Sequence, residues 1–86
     1  MPTILFIRGW RFFCYSNERN EPPHIHIRKG NSECKFWLYQ DKFDIEEVYS
    51  YSMNPSDMRL VRQIIFENFE YLVSEYLAIQ KGERDE

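Results

Sequence analysis

The segment His24-Ile25-His26-Ile27-Arg28 alternates polar and apolar residues without a break. In an extended strand alternate side chains share a face, so His24, His26 and Arg28 should project together, the histidine Cα atoms about 6.6–6.8 Å apart. Ile25 and Ile27 then face a core, and the polar trio is expected to meet water. Two imidazoles at this spacing can ligate one divalent metal ion, with His24 and His26 as the ligands, but a complete site takes a third or fourth donor. Carboxylates able to supply it are Glu18 and Glu21 before the strand and Asp41 and Asp44 after it, none at a diagnostic spacing. The same pair can instead act as general acid and base in RNA cleavage, with Arg28, Lys29, Arg11 and Tyr15 binding a phosphate. Basic and aromatic residues on a strand face also pair across strands simply to stabilise a sheet, so the spacing alone does not choose.

The elements that must hold these residues are legible in outline. Ile4–Arg8 and Trp10–Tyr15 are rich in branched and aromatic residues, and Gly9 between them suggests a bend or bulge in one long strand. Ser16 to Pro23 is polar and closes on two prolines, which read as an exposed loop leading into the histidine strand. Lys29-Gly30-Asn31 carries hairpin-turn chemistry, and Ser32 to Tyr39 resumes the strand pattern with Cys34, Phe36 and Leu38 on one face. Gln40-Asp41-Lys42 reads as another turn. A last short strand over Phe43 to Tyr49 is interrupted in its apolar character by Glu46-Glu47.

Asn54-Pro55-Ser56-Asp57 is a helix start, because Asn caps free amides, Pro is tolerated in the first turn and Asp suits the positive end of the helix. From there Leu60, Val61, Ile64, Ile65, Phe69, Leu72, Val73, Tyr76 and Leu77 recur at three- and four-residue spacing, a broad stripe running on to Gly82. It needs a sheet face to cover, and Ile25, Ile27, Phe12, Cys14, Phe36 and Leu38 offer one. Phe66, on the flank, should stay partly exposed. The expected fold is therefore α+β: a small antiparallel sheet of three or four strands with one long C-terminal helix packed on one face. Residues 1–82 form a single domain and 83–86 a mobile tail.

With 86 residues the chain has room for one small domain, and its 17% aromatic share supplies large rings for a small core. Trp10, Trp37, Tyr39, Tyr49 and Tyr51 can build that core, a dimer contact or a stacking platform. No apolar run approaches membrane-spanning length, and the N-terminus lacks a signal-peptide pattern. Two cysteines, Cys14 and Cys34, are too few for a disulfide scaffold and read as reduced core residues of a cytoplasmic protein. The net charge of −3 is polarised: residues 1–30 carry five cations against two anions, and residues 31–86 six against twelve. That excludes a general nucleic-acid coat but allows a local phosphate contact.

The opening Met1-Pro2-Thr3-Ile4, the segment Glu21-Pro22-Pro23-His24-Ile25-His26-Ile27-Arg28 and the late helix with Leu60-Val61 and Leu72 together resemble a family of short bacterial proteins of unknown function. The resemblance covers most of the chain, with Pro22, Pro23, His24 and His26 as its Pro-Pro-His-x-His signature. The chain departs from the family's Gly-rich turn before the helix, having Tyr49 to Pro55 there instead. Family members are often encoded beside another small gene, which implies a toxin–antitoxin-like pair and no established activity.

Two functional expectations follow. One is a small cytosolic interaction module, the toxin-like member of a two-gene pair, whose His24/His26/Arg28 face binds a small cognate protein or RNA, with a purely structural or dimerisation domain held by its aromatic residues as a further expectation. The other is a ribonuclease or phosphodiesterase using His24 and His26 as acid/base groups or as ligands of a divalent metal. No complete catalytic motif decides between them.

Overall fold

The computed structural model describes residues 2–18 and 20–83. Five strands form one antiparallel sheet in sequential order: β1 (Thr3–Ile7), β2 (Trp10–Phe13), β3 (His24–Lys29), β4 (Ser32–Tyr39) and β5 (Asp44–Tyr51). Two helices follow, α1 (Pro55–Glu67) and α2 (Phe69–Gln80).

This corrects the expected three or four strands and one long helix in two places, each with a local cause. Arg8 and Gly9 both take positive φ, +54° and +85°. Two successive left-handed residues make a tight hairpin turn rather than a bend in a continuous strand, so β1 folds back on β2 with Ile7 opposite Trp10. The helix breaks at Asn68, whose φ of −124° leaves the helical region. Its side-chain amide donates to the Ile64 carbonyl at 2.8 Å, the local bonding by which Asn competes with a continuing helix. The Asn68 carbonyl then accepts from Leu72 N–H to open α2. The start of α1 is as expected, with Asn54 Oδ1 accepting from the Asp57 amide at 2.7 Å.

The core lies between one sheet face and the helices. Phe12, Cys14, Ile25, Ile27, Cys34, Phe36 and Leu38 share it with Val61, Ile64, Ile65, Leu72 and Val73, all essentially buried. Burying each Ile of β3 contributes about 1.5–3 kcal/mol, which pins the register of the strand and forces His24 and His26 to the other face. Phe66 stays partly exposed. No helix among the described residues is long and apolar enough to cross a membrane. Residues 84–86, expected to belong to the tail, and Met1 lie outside the described residues.

Candidate metal centre

His24 and His26 do share the face opposite Ile25 and Ile27, but that face is covered at their end of the sheet. His24 is completely buried and His26 is 6% exposed, against the expectation that both rings meet water. The cover is the segment between β2 and β3, read from its polarity as an exposed loop. It folds back so that Glu18, itself 9% exposed, sits over both rings. Tyr76 of α2 closes the far side, its ring edge-on to His24 at 5.1 Å, with Trp37 against the same imidazole at 5.5 Å. Phe13 stacks on His26 at 5.3 Å, and Tyr15 stands edge-on to it at 5.0 Å.

Inside this cover the two Nε2 atoms approach one oxygen. Glu18 Oε2 lies 2.9 Å from His24 Nε2 and 3.1 Å from His26 Nε2. The outer ring nitrogens are committed elsewhere. His24 Nδ1 is 2.9 Å from the Pro22 carbonyl, which can only accept, so that nitrogen carries the proton. His26 Nδ1 is 3.4 Å from Tyr49 Oη, which donates its own proton to Glu33 Oε2 at 3.0 Å. His26 Nε2 is within hydrogen-bond geometry of Glu18 Oε2, so its N–H can donate to the carboxylate, whereas His24 Nε2 comes as close without making a hydrogen bond.

Either the His26 ring proton or a metal ion can link these atoms to Glu18, and only a metal would also engage His24 Nε2. Burial holds the His26 imidazole below its ordinary value, against the opposing pull of Glu18. Burial pushes the Glu18 carboxyl up, but the Tyr15 amide and then the two histidines outweigh it and leave the group below its usual range. The ionised carboxylate and a neutral His26 are thus the favoured pair. His24 Nε2, though close to Glu18, misses hydrogen-bond geometry and among the described residues has no hydrogen-bond partner. An orphaned, fully buried nitrogen costs about 1–3 kcal/mol, a cost that ligation removes.

Glu18, His24 and His26 offer three donor atoms all within 4.8 Å of one another. That span suits a first-row divalent ion with bonds of about 2.0–2.2 Å to nitrogen and oxygen. With a metal on both Nε2 atoms, the outer contacts would take the form that metal-bound histidines need, one ring N–H on the Pro22 carbonyl and the other facing a tyrosine held by a carboxylate. Glu18 Oε1 is fixed as well, accepting from Tyr15 N–H at 2.8 Å.

The remaining candidates are divided. Arg11 and Arg28 face each other across β2 and β3, and both guanidinium groups lie over the Phe13 ring, at 4.8 and 5.7 Å. Arg28 also pairs with Glu33 at 2.9 Å. Tyr15 lines the site directly. Lys29 does not join it, since its ammonium lies over Trp10, a buried residue next to the hairpin turn. Glu21 is exposed and bonds Lys35 at 3.1 Å, keeping 4.0 Å from His24 Nδ1. Asp41 belongs to the β4–β5 turn and Asp44 opens β5, where its side chain accepts from the Ile45 amide, so neither reaches the histidines. Of the aromatic residues considered for a platform, Tyr49 and Tyr51 touch at 5.3 Å, whereas Trp10 is core and Trp37 packs on His24.

Residues 9–76 match the family described as Domain of unknown function (DUF4160). The chain belongs to the DUF4160 family. The matched span includes both histidines, Glu18 and the Tyr76 that packs on His24. No match is found among the curated proteins or among the solved structures. The family's description carries no activity, so the chemistry of this DUF4160 chain has to be argued from its site. Gln80 and Tyr76 join the site, and Tyr49 the histidines, through contacts that strand alternation and the helical stripe do not signal. The one available signal was Gln80, a polar residue in phase with Val73, Tyr76 and Leu77 on an otherwise apolar stripe.

Proposed function

We propose that the chain is a metal-dependent phosphodiesterase, with RNA as the substrate class and Glu18, His24 and His26 holding one divalent ion. The observation that carries this reading is the convergence of both Nε2 atoms on Glu18 Oε2, with the fully buried His24 Nε2 left without a hydrogen-bond partner among the described residues. Three protein ligands are the number used where a metal keeps a further position for water or substrate. A metal bound there would polarise a phosphoryl oxygen and lower the pKa of bound water. The residual exposure of Glu18 and His26 supports an approach from their side, and the fully buried His24 serves as an anchor. Arg11 and Arg28 supply positive charge on the same sheet face, arranged to take an anionic ester, and Tyr15 borders the approach.

The cellular role proposed with it is that of the toxin-like member of a bacterial two-gene pair, working in the cytoplasm and bound by a small cognate protein. With the imidazoles buried, that protein would contact the exposed Arg28 and its neighbours. The reading is tested by incubating purified protein with single-stranded RNA and with bis(p-nitrophenyl) phosphate, with and without Zn²⁺ or Mn²⁺. Turnover that chelator abolishes and that His26→Gln lacks is expected. Metal-independent turnover, or none with any of these ions, would contradict it.

A further inference from the structure

We infer that Tyr76 and Gln80, one turn apart on α2, are positioning residues that lock the Glu18 carboxylate onto the histidine pair. This inference rests on the metal-centre reading. Glu18 lies outside the strands and helices, a position that by itself would leave a carboxylate free to swing away from the rings. The segment is instead tied to the helix at both polar groups of the Glu18 backbone. Glu18 N–H donates to Gln80 Oε1 at 2.9 Å, and Tyr76 Oη donates to the Glu18 carbonyl at 2.9 Å. The other half of the Gln80 amide donates to the Tyr15 carbonyl at 2.6 Å and approaches Cys14 Sγ at 3.8 Å. Tyr76 Oη also reaches the Glu21 carbonyl at 3.3 Å.

The amide of Gln80 therefore holds Tyr15 and Glu18 in fixed relation, and the Tyr15 N–H in turn orients Glu18 Oε1. Tyr76 acts at both ends of the site, with its hydroxyl on the Glu18 carbonyl and its ring against His24. Gln80 is 8% exposed and Tyr76 2% exposed, so water competes little for these bonds. A glutamine in a core stripe is poorly explained by packing alone, because the desolvation of its amide is offset only by such bonds. Supporting contacts of this kind commonly set metal affinity over a 10–100-fold range.

The test uses Co²⁺, whose visible d–d bands report ligand number and geometry, titrated into the full chain. Tyr76→Phe keeps the ring against His24 and removes only the hydroxyl. Gln80→Met keeps the bulk and removes both amide bonds. Each is expected to weaken Co²⁺ binding about 10-fold or more and to change the band pattern, while Gln80→Glu, which retains an acceptor for Glu18 N–H, recovers part of the affinity. Wild-type affinity and spectrum in both Tyr76→Phe and Gln80→Met would overturn the inference and leave the metal centre standing. Hydrogen exchange of the Glu18 amide in metal-free protein decides the matter even if the wild type takes up no Co²⁺. Protection lost in Gln80→Met supports the positioning role, and protection unchanged overturns it.

Discussion

His24 and His26 bring their Nε2 atoms to a single oxygen, Glu18 Oε2, at 2.9 and 3.1 Å, although their strand points them into a face that its polar sequence assigns to water. Alternation along β3 accounts for the shared direction. Burial comes from elsewhere, from a segment folded back over the sheet and from one helix turn near the C-terminus. The site is thus assembled from three parts of the chain, of which only the strand announces itself locally.

Tyr49→Phe should lower divalent-metal affinity about 10-fold, at the low end of the range for lost supporting bonds, without unfolding the chain. The variant removes the hydroxyl that lies 3.4 Å from His26 Nδ1, donates to Glu33 and would serve a metal-bound His26 as its outer partner. Competition of wild-type and variant protein against a chromogenic chelator measures the ratio. Equal affinities would separate Tyr49 from the site.

Glu33 predicts a signed pH effect on stability. Partial burial raises its carboxyl, but hydrogen bonds from Arg28 and Tyr49 outweigh that and hold it below the ordinary glutamate value. A depressed folded-state pKa contributes stability that is fully present above the unfolded value and is lost as pH falls through the folded one. The wild type should therefore exceed Glu33→Gln in denaturant midpoint by a constant margin near neutrality, and the margin should shrink as pH drops below about 4.5. A margin that grows in acid would reverse the assignment.

Cys34 is expected to be inert in the folded protein. It is fully buried, and burial pushes its thiol up to about 12, with Glu47 adding to the effect. The thiolate is the reactive form, so a thiol reagent at pH 8 should label Cys34 only after denaturant is added. Rapid labelling under native conditions, read by mass spectrometry of the Cys34 peptide, would show that the core opens there.

The parts of the fold that follow local rules could be read in advance. The isoleucines of β3, the apolar face of β4 and the Asn54 cap each depend on neighbours a few residues away. The extra strand and the second helix were hidden because single residues decide them. At Arg8-Gly9 a bend and a tight turn share the same sequence signal, and at Asn68 the apolar stripe continues in phase on both sides of the break. Glu18 stood among the candidate third ligands, but four carboxylates competed for that place and spacing could not rank them. What selects Glu18 is a tie to Gln80, 62 residues distant, and no local pattern carries such a contact.

Whether Glu18, His24 and His26 hold a metal is read by titrating Zn²⁺ into metal-free protein and following isothermal calorimetry and thermal unfolding. One saturable site per chain is expected, with a stabilisation of about 2.7 kcal/mol at a hundredfold excess over Kd and both signals lost in Glu18→Gln and in His26→Gln. No saturable binding by the wild type, or the same binding in these two variants, would contradict the metal centre.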